Sequence, residues 1–333
     1  MNMKVKTMLG AALAAALMAN AAASYADDVI NMRFANAINQ AAKDAAVAMI
    51  DVVEKESGGT IKIKHFPDNM LGDDRVAIES TIMGDIDIVL AQPSTLTSFI
   101  PDIYLWDAPF LFATAEDALR CFNSDIGKTI NGKVESRNLH YFTMVGNGFR
   151  NYTNNKVPVR VPADVAGAKV RVQESEIQMA QWKAWGANPT PMAFAEVLPA
   201  LQQGTIDAQE NPLAIIDANK LYEVQHYISL TGHQYSPQIL LMNKARWDSL
   251  SDAQKKAMND GVETFIKVQA QRSKELDALS EQKFIDAGCE VIKLTDEDRQ
   301  QWIDMAKKGG VYDLVKSMMD TPEYVDRVLN KDY

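Results

Sequence analysis

The chain has few of the side chains on which metal and thiol chemistry depends. Among its 333 residues there are only two cysteines and four histidines. Cys121 and Cys289 belong to no Cys-x-x-Cys or Cys/His motif, so they indicate no disulfide scaffold, although one bridge between them stays open. The histidines are scattered and include no pair spaced for zinc: His65, His140, His226 and His233. We therefore expect no metal and no cofactor.

Recognisable catalytic motifs are also missing. The sequence contains no Gly-x-Ser-x-Gly elbow, no Walker loop and no His-Glu-x-x-His helix. Carboxylates are plentiful, but no motif pairs them for acid and base work. These absences favour a binding protein over an enzyme.

Long apolar runs are absent except at the amino terminus. Lys4 and Lys6 precede a small apolar run from Met8 to Ala19, and Ser24-Tyr25-Ala26 supplies a small-x-small cleavage site. The run is shorter than the ~20 residues that span a bilayer. We interpret residues 1–26 as an export signal cleaved near Ala26, which places the mature chain in the periplasm; a retained membrane anchor is the alternative.

Positive charge is in the minority. The formal charge is −10, and removing Lys4 and Lys6 with the signal takes it to −12. An acidic chain is a poor partner for nucleic acid and anionic lipid. A site for an anion would have to concentrate positive charge locally.

The order of predicted elements indicates an α/β fold. Alternation from Val29 predicts a strand, Gln40 to Ser57 a helix ended by Gly58, and Thr60 to Phe66 a second strand. Strand, helix and strand in this order predict a parallel βαβ unit. About 307 mature residues usually form two domains.

Two later segments resemble each other. Asp73 to Gln92 and Ala193 to Pro212 both hold a helical stretch that ends in Gly-x-Ile-Asp, followed by a short strand and a polar loop. Matched units suggest two similar lobes. Because ligands bind beyond the carboxyl ends of such strands, we expect the loops Gln92 to Thr95 and Glu210 to Leu213 to face each other across a cleft.

The carboxyl-terminal third is predicted to be helical. Ser251 to about Ala287 lacks proline, begins with a Ser-Asp cap and keeps near-helical apolar spacing. A helix of that length would cross both lobes or break at a kink. Asp296 to Tyr333 predicts two or three shorter helices.

Two arginines and an asparagine between Gly148 and Pro212 are candidates for gripping an anion. The planar fork of arginine gives a carboxylate two parallel hydrogen bonds. Arg171 lies on a predicted strand and Arg150 follows a glycine-rich bend, while the Asn211 amide could donate to an oxygen. A solvated strand face for Arg171 and an ordinary turn for Asn211 are the open alternatives.

Phe194 begins an apolar series at helical spacing, which indicates core packing rather than ligand contact. Pro199 within the series predicts a late helix start or a kink.

Three ordered motifs carry a family resemblance. They are Gly-x-Arg-x-x-Thr-Asn (Gly148 to Asn154), Pro-x-Asp-x-x-Gly-x-Lys-x-Arg-Val (Pro162 to Val172) and Gly-x-Ile-Asp-x-Gln-Glu-Asn-Pro (Gly204 to Pro212). Leu71 to Asp74 and Pro109 to Phe112 support them. The mature chain thereby resembles the substrate-binding proteins of tripartite ATP-independent periplasmic (TRAP) transporters, the C4-dicarboxylate-binding protein family.

The resemblance implies a two-lobed periplasmic binding protein. Each lobe would be a mainly parallel sheet flanked by helices, with a long helix crossing both. Lobe I is expected to hold residues 27–147 and about 237–275, and lobe II residues 148–236 and about 276–333. The lobes would close over an organic acid, and a monomer would deliver it to the transporter's integral membrane subunits.

The resemblance also assigns roles within the second lobe. Arg171 matches the main carboxylate clamp, Arg150 assists it and Asn211 completes the cradle. In the family, an aromatic residue at the position of Phe194 packs on the ligand. The resemblance therefore favours ligand contact for Phe194 more than its apolar spacing does.

Further ligand-facing positions are expected from the resemblance. From the first lobe they are Asn36, Asp73 and Gln92, and near the second crossing Tyr235. Uronates or aldonates, C4-dicarboxylates and aromatic or keto acids all stay open as ligands. A periplasmic enzyme acting on such an acid and a sensory module are the alternative functions.

Overall fold

The computed structural model describes residues 29–37 and 39–333, so the predicted export signal lies outside the described residues. The strands form a single hydrogen-bonded sheet in the order β2-β1-β3-β8-β4-β7-β5-β6, with β9 paired to β8. The strands are β1 Ile30–Asn36, β2 Ile61–Phe66, β3 Ile88–Ala91, β4 Leu139–Asn154, β5 Lys169–Val172, β6 Asn188–Pro191, β7 Ala208–Asn211, β8 Tyr227–Asn243 and β9 Glu290–Lys293.

Helices flank this sheet. They are α1 Gln40–Glu56, α2 Asp74–Met83, α3 Ala115–Phe122, α4 Asp125–Gly132, α5 Glu176–Ala184, α6 Val197–Gln202, α7 Leu213–Ala218, α8 Lys244–Asp248, α9 Asp252–Asp286, α10 Asp296–Lys308, α11 Val311–Met318 and α12 Glu323–Leu329. Within the described ranges, none of them combines the length and apolar character needed to cross a membrane.

The amino-terminal unit confirms the βαβ prediction. β1 pairs with β2 in parallel, and α1 connects them. The Asn39 side chain caps α1 by accepting a hydrogen bond from the Ala42 amide, and Gly58 follows its end with a φ of 63°. Met49 of α1 is fully buried against the sheet because the apolar side of the helix faces Phe34.

The two long strands, β4 and β8, lie between the part of the sheet with β1 to β3 and the part with β5 to β7, which are the two halves of the molecule. β4 and β8 run antiparallel to each other, and the shorter strands extend the sheet from both sides. The halves therefore share one sheet rather than holding two separate ones. The β4–β8 register shifts between Gly146 and Phe149, beside the predicted lobe boundary at 147/148.

Gly148 occupies this irregularity with a φ of 94°. A Cβ atom there would lie 2.7 Å from the Asp277 Oδ2 atom, so both the backbone and the space favour glycine. A residue with a side chain would have to displace Asp277 at this irregularity.

In both Gly-x-Ile-Asp segments, the aspartate accepts a hydrogen bond from the backbone of a neighbouring strand. The Asp87 carboxylate accepts a hydrogen bond from the Arg33 amide at 2.8 Å, and the Asp207 carboxylate accepts one from the Lys169 amide at 3.0 Å. In each half the aspartate therefore ties a helix–strand unit to its neighbouring strand. The predicted pair of matched units is confirmed.

Helix α9 is continuous over 35 residues, from a Ser251 cap onward. Phe265 packs in one core with Met49, while Phe284 packs in another with Ile216. The helix thus contacts both halves, and three shorter helices follow it.

Both cysteines are free thiols. Cys121 is buried within the core beside Phe122, and Cys289 is partly exposed. The bridge that the sequence left open is not formed.

Candidate functional site

Two adjoining open cavities lie where the two halves meet, with about 480 and 380 Å³ of empty space when the adjoining solvent is included. Five residues line both cavities: Ala37, Asp74, Arg171, Gln173 and Phe194. The segment after β3 and the end of β7 both contribute to the walls, as the matched units predicted, through Thr95 and Asn211 respectively.

Arg171 is the only buried cation on these cavity walls within the described ranges. Strand β5 carries it, and the residue is 3% exposed because β6 and β7 flank β5. Its Nε and Nη2 atoms donate to the Met192 carbonyl oxygen at 2.9 and 2.6 Å, and its guanidinium lies 5.7 Å from the centre of the Phe194 ring.

No carboxylate in residues 29–37 and 39–333 lies within 4.0 Å of the Arg171 guanidinium. Burial, together with the positive charge of Arg150, lowers the pKa of Arg171 to about 10. The site therefore holds a desolvated cation that lacks an anion.

Phe194 is partly buried on the cavity wall next to this cation. The chain makes a 3-10 turn at Phe194–Glu196, and α6 begins only at Val197, with Pro199 in its first turn. Proline fits there because a first-turn N–H has no partner inside the helix. The predicted late helix start is confirmed.

Arg150 lies behind the cavities and is not on their walls. It is 1% exposed and bonds both carboxylate oxygens of Glu210, with an Nη2–Oε1 distance of 2.7 Å. His233 approaches the same carboxylate, with its Nε2 atom 3.1 Å from Oε2. Arg150 thus has an internal carboxylate partner, which sequence reasoning missed, and its help in ligand binding stays a prediction.

Asn211 and Gln92 both line the second cavity. The Asn211 Nδ2 atom donates to the Gln209 side chain at 2.6 Å, and its Oδ1 atom accepts from Arg150 Nη2 at 3.3 Å. Arg150 therefore orients Asn211, which itself faces the cavity.

Asn36 and Asp73 use their polar atoms within the fold. Asn36 donates to the Ala37 carbonyl at 2.7 Å and holds His65 through its Oδ1 atom at 2.6 Å, and it lines neither cavity. Asp73 caps α2 by accepting from the Val76 amide at 3.0 Å, although it also borders the first cavity.

Asp74, the first residue of α2, is the acidic group that sequence reasoning missed. It lines both cavities and accepts one hydrogen bond, from the backbone N–H of Gln92 at 3.3 Å. Burial, together with the negative charge of the neighbouring Asp73, raises the pKa of Asp74 to about 7. The sequence did offer a signal for Asp74, because two aspartates stand side by side at the start of α2. If one of them caps the helix, the side chain of the next points in a different direction.

Tyr235 lies in a different place, in a separate open cavity lined by β4, β8 and α9, with about 1080 Å³ of empty space when the adjoining solvent is included. Its ring packs 5.0 Å from that of Phe149 and 6.1 Å from that of Phe122. The structure does not bring Tyr235 to the walls of the two cleft cavities.

The arrangement suits binding of an anion with hydrogen-bonding groups. Amides and hydroxyls accompany the cation on the walls: Asn69, Gln92, Ser94, Thr95, Asn147, Gln173, Asn211 and Gln238. Across residues 29–37 and 39–333 no three histidine, cysteine or acidic side chains cluster in a way that could hold a metal ion.

Known proteins share this sequence and fold. The chain is 34% identical over 306 residues to the 2,3-diketo-L-gulonate-binding periplasmic protein of Escherichia coli, covering 91% of this chain and 92% of the relative. A sugar acid binding protein of Advenella mimigardefordensis, solved with galactonate, superposes with a TM-score of 0.87 at 29% identity, covering 91% of this chain and 97% of the other.

A third likeness is a TRAP periplasmic solute-binding protein from a Polaromonas species, solved with D-erythronate. Its TM-score is 0.84 at 31% identity, over 90% of this chain and 98% of the other. Residues 34–313 match the family described as bacterial extracellular solute-binding protein, family 7. The chain therefore belongs to this family, the solute-binding proteins of TRAP transporters, whose members are receptors and not enzymes.

Proposed function

We propose that this protein is a periplasmic receptor that binds the carboxylate of an organic acid through Arg171 and delivers the acid to the membrane subunits of a TRAP transporter. The observation that carries the proposal is the Arg171 guanidinium, which is 3% exposed, lines both cleft cavities and has no carboxylate partner among the described residues. A buried charge is stable when it is paired, so an anionic ligand would supply the missing partner.

The remaining walls support a ligand with polar groups beyond its carboxylate. Asn211 is held by Arg150 and Gln209, so its amide is pre-oriented at the cavity. Phe194 offers an apolar face beside the cation. The three relatives described above are named for, or were solved with, hydroxylated or keto acids.

Closure of two lobes around the cleft is part of this proposal. Lobe I would hold residues 27–147 and about 237–275, and lobe II residues 148–236 and about 276–333. The register shift at Gly146 and Phe149 gives β4 an irregular point at this boundary where strands can bend. A ligand that contacts both lobes would stabilise the closed form, which the membrane subunits would recognise.

A thermal-shift screen tests the binding function. Purified protein should be stabilised by at least one acid from a panel of aldonates, uronates, dicarboxylates, keto acids and aromatic acids. A ligand at 100 times its dissociation constant adds ~2.7 kcal/mol to the free energy of unfolding. Galactitol, which matches galactonate but lacks the carboxylate, is the control and should cause no shift.

Two results would overturn the proposal. One is that no acid of the panel raises the melting temperature. The other is that galactitol raises it as much as galactonate does, because the carboxylate would then contribute nothing.

A further inference from the structure

Three polar side chains of helix α9 face the crossing strand β4 and its surroundings. Gln269, Ser273 and Asp277 are spaced four residues apart, so they lie along one side of the helix. The Gln269 Nε2 and Ser273 Oγ atoms donate to the carbonyl oxygen of Gly146, each at 3.5 Å. The Asp277 Oδ1 atom accepts a hydrogen bond from the Ala214 N–H at 3.2 Å. These side chains therefore contact residues on both sides of the proposed lobe boundary.

Asp277 supplies a cap that helix α7 does not have from its own segment. The first N–H groups of a helix have no partner inside it, and a side chain just before the helix usually accepts from one of them. The residue at that place is Pro212, which makes no side-chain cap. The Ala214 N–H is the second of the helix, and the Asp277 carboxylate of α9 accepts from it instead. A negative charge is also favourable at this end of a helix.

The capped turn forms part of the cleft wall. Asn211 and Ile215 stand on either side of Ala214 in the chain, and both line the second cavity. The turn from 211 to 215 thus presents two side chains to the ligand space, while its backbone is held from α9 by Asp277. The position of this wall therefore depends on a residue that lines neither cleft cavity.

Gly148 stands beside the same contact. A Cβ atom at Gly148 would lie 2.7 Å from the Asp277 Oδ2 atom and 3.3 Å from the Pro212 Cβ atom. The register shift of β4, the start of the turn and the Asp277 carboxylate therefore meet at one point on the proposed lobe boundary. Asp277 thus links the irregular point of β4 to the turn on the cleft wall.

We propose that Asp277 is a positioning residue for ligand binding, which holds the turn carrying Asn211 and Ile215 in place against β4 at Gly148. The inference rests on the proposed function and deepens it by naming a residue that acts on the site through another. The observation that carries it is the hydrogen bond from the Ala214 N–H to Asp277, which joins the longest helix to a turn of the cleft wall.

The charge of Asp277 lowers the stability of the fold near neutral pH rather than raising it. Burial raises the pKa of Asp277 to about 6, although the hydrogen bond from the Ala214 N–H opposes the rise. A carboxyl group whose pKa is raised on folding stabilises the folded state less once it is ionised. Glu116 and Lys274 are the other charged residues on the walls of its cavity, which are otherwise mainly apolar. Asp277→Leu should therefore keep the fold.

Hydrogen–deuterium exchange of the unliganded protein tests the contact itself. In Asp277→Leu the backbone of residues 211–218 should exchange about tenfold faster than in the wild type, because α7 loses its cap. Asp277→Asn keeps an oxygen that can accept the hydrogen bond, so it should restore most of the protection. Exchange in β1 and β2 should be the same in all three proteins.

Calorimetry measures the consequence for binding, with the acid of the thermal-shift panel that binds the wild type most tightly. Asp277→Leu should weaken binding about tenfold, since the ligand must then order the turn. Asp277→Asn should bind within about threefold of the wild type. The unliganded Asp277→Leu protein should melt within about 4 °C of the wild type, which separates positioning from folding.

Glu263→Gln is the matched control, because Glu263 is an exposed acid on the same helix and lines none of the three cavities. It should change neither the exchange of residues 211–218 nor the affinity. Asp277→Ala is the second variant without an acceptor, and it replaces Asp277→Leu if the larger side chain lowers the melting temperature further.

The inference fails if the variant without an acceptor keeps wild-type exchange at residues 211–218, or if it binds the acid within about threefold of the wild type. It also fails if Asp277→Asn is as weak as Asp277→Leu, because the hydrogen bond would then not be the cause. Absence of binding of every panel acid by the wild type would instead contradict the proposed function, and the exchange result would still decide whether Asp277 holds the turn.

Discussion

Replacement of Arg171 by alanine should weaken binding of the organic acid by about a hundredfold or more, because losing one member of a buried ion pair costs ~3–5 kcal/mol. Arg171 is 3% exposed, and within residues 29–37 and 39–333 its guanidinium donates hydrogen bonds only to the Met192 carbonyl. Calorimetry with the acid selected by thermal shift measures the loss.

Two comparisons make this result specific. Arg171→Lys keeps the charge but loses the planar fork, so its affinity should fall between those of the wild type and Arg171→Ala. Without ligand, Arg171→Ala should be at least as stable as the wild type in denaturant, because it removes a buried charge that has no internal carboxylate partner. An Arg171→Ala affinity within about threefold of the wild type would contradict the assignment.

Arg150→Ala should mainly reduce the stability of the fold, whereas Arg171→Ala should mainly reduce the affinity for the acid. Arg150 is 1% exposed and Glu210 is fully buried, so the substitution strands a buried carboxylate beside His233. Breaking such a pair destabilises by ~3–5 kcal/mol. Chemical denaturation of unliganded protein is the measurement.

A double variant separates folding from binding. Arg150→Met combined with Glu210→Gln removes both charges and should recover much of the lost stability. Because Arg150 lies behind the cavity walls, the double variant should lose less affinity than Arg171→Ala. A loss as large as that of Arg171→Ala would show that Arg150 grips the ligand directly.

The ion pair between Arg150 and Glu210 also contributes to the dependence of stability on pH in acid. Burial alone would raise the pKa of Glu210, but Arg150 and the hydrogen bond with His233 lower it to about 2. A lowered pKa in the folded state contributes stability above the unfolded value of 4.5. That contribution should be lost between about pH 4.5 and 2, and Glu210→Gln should lack this dependence.

The pattern of elements was predictable because apolar spacing reports which side of an element is buried. It identified β1, α1 and β2, the two matched units and the full span of α9. It did not predict that β4 and β8 join both halves into one sheet, since strand pairing over some 90 residues depends on tertiary contacts. The export signal lies outside the described residues and stays a prediction.

The sequence predicted the cation of the site, but it predicted less about the residues around that cation. The motif identified Arg171 as the cation, but the sequence did not predict that its side chain is buried. The alternation of a strand is the same whether its polar side faces solvent or a cavity. Asp73 and Asp74 are the same residue type, and only the structure shows that Asp73 caps α2 at the edge of one cavity while Asp74 lines both. Glu210 was hidden in its motif because only the folded chain brings it to Arg150.

A crystal structure of the protein with its selected acid tests the central claim most directly. The ligand carboxylate should lie about 2.7–2.9 Å from the guanidinium nitrogens of Arg171, as expected for charge-assisted hydrogen bonds. A carboxylate bound elsewhere, with Arg171 still bonded only to the Met192 carbonyl, would contradict the account.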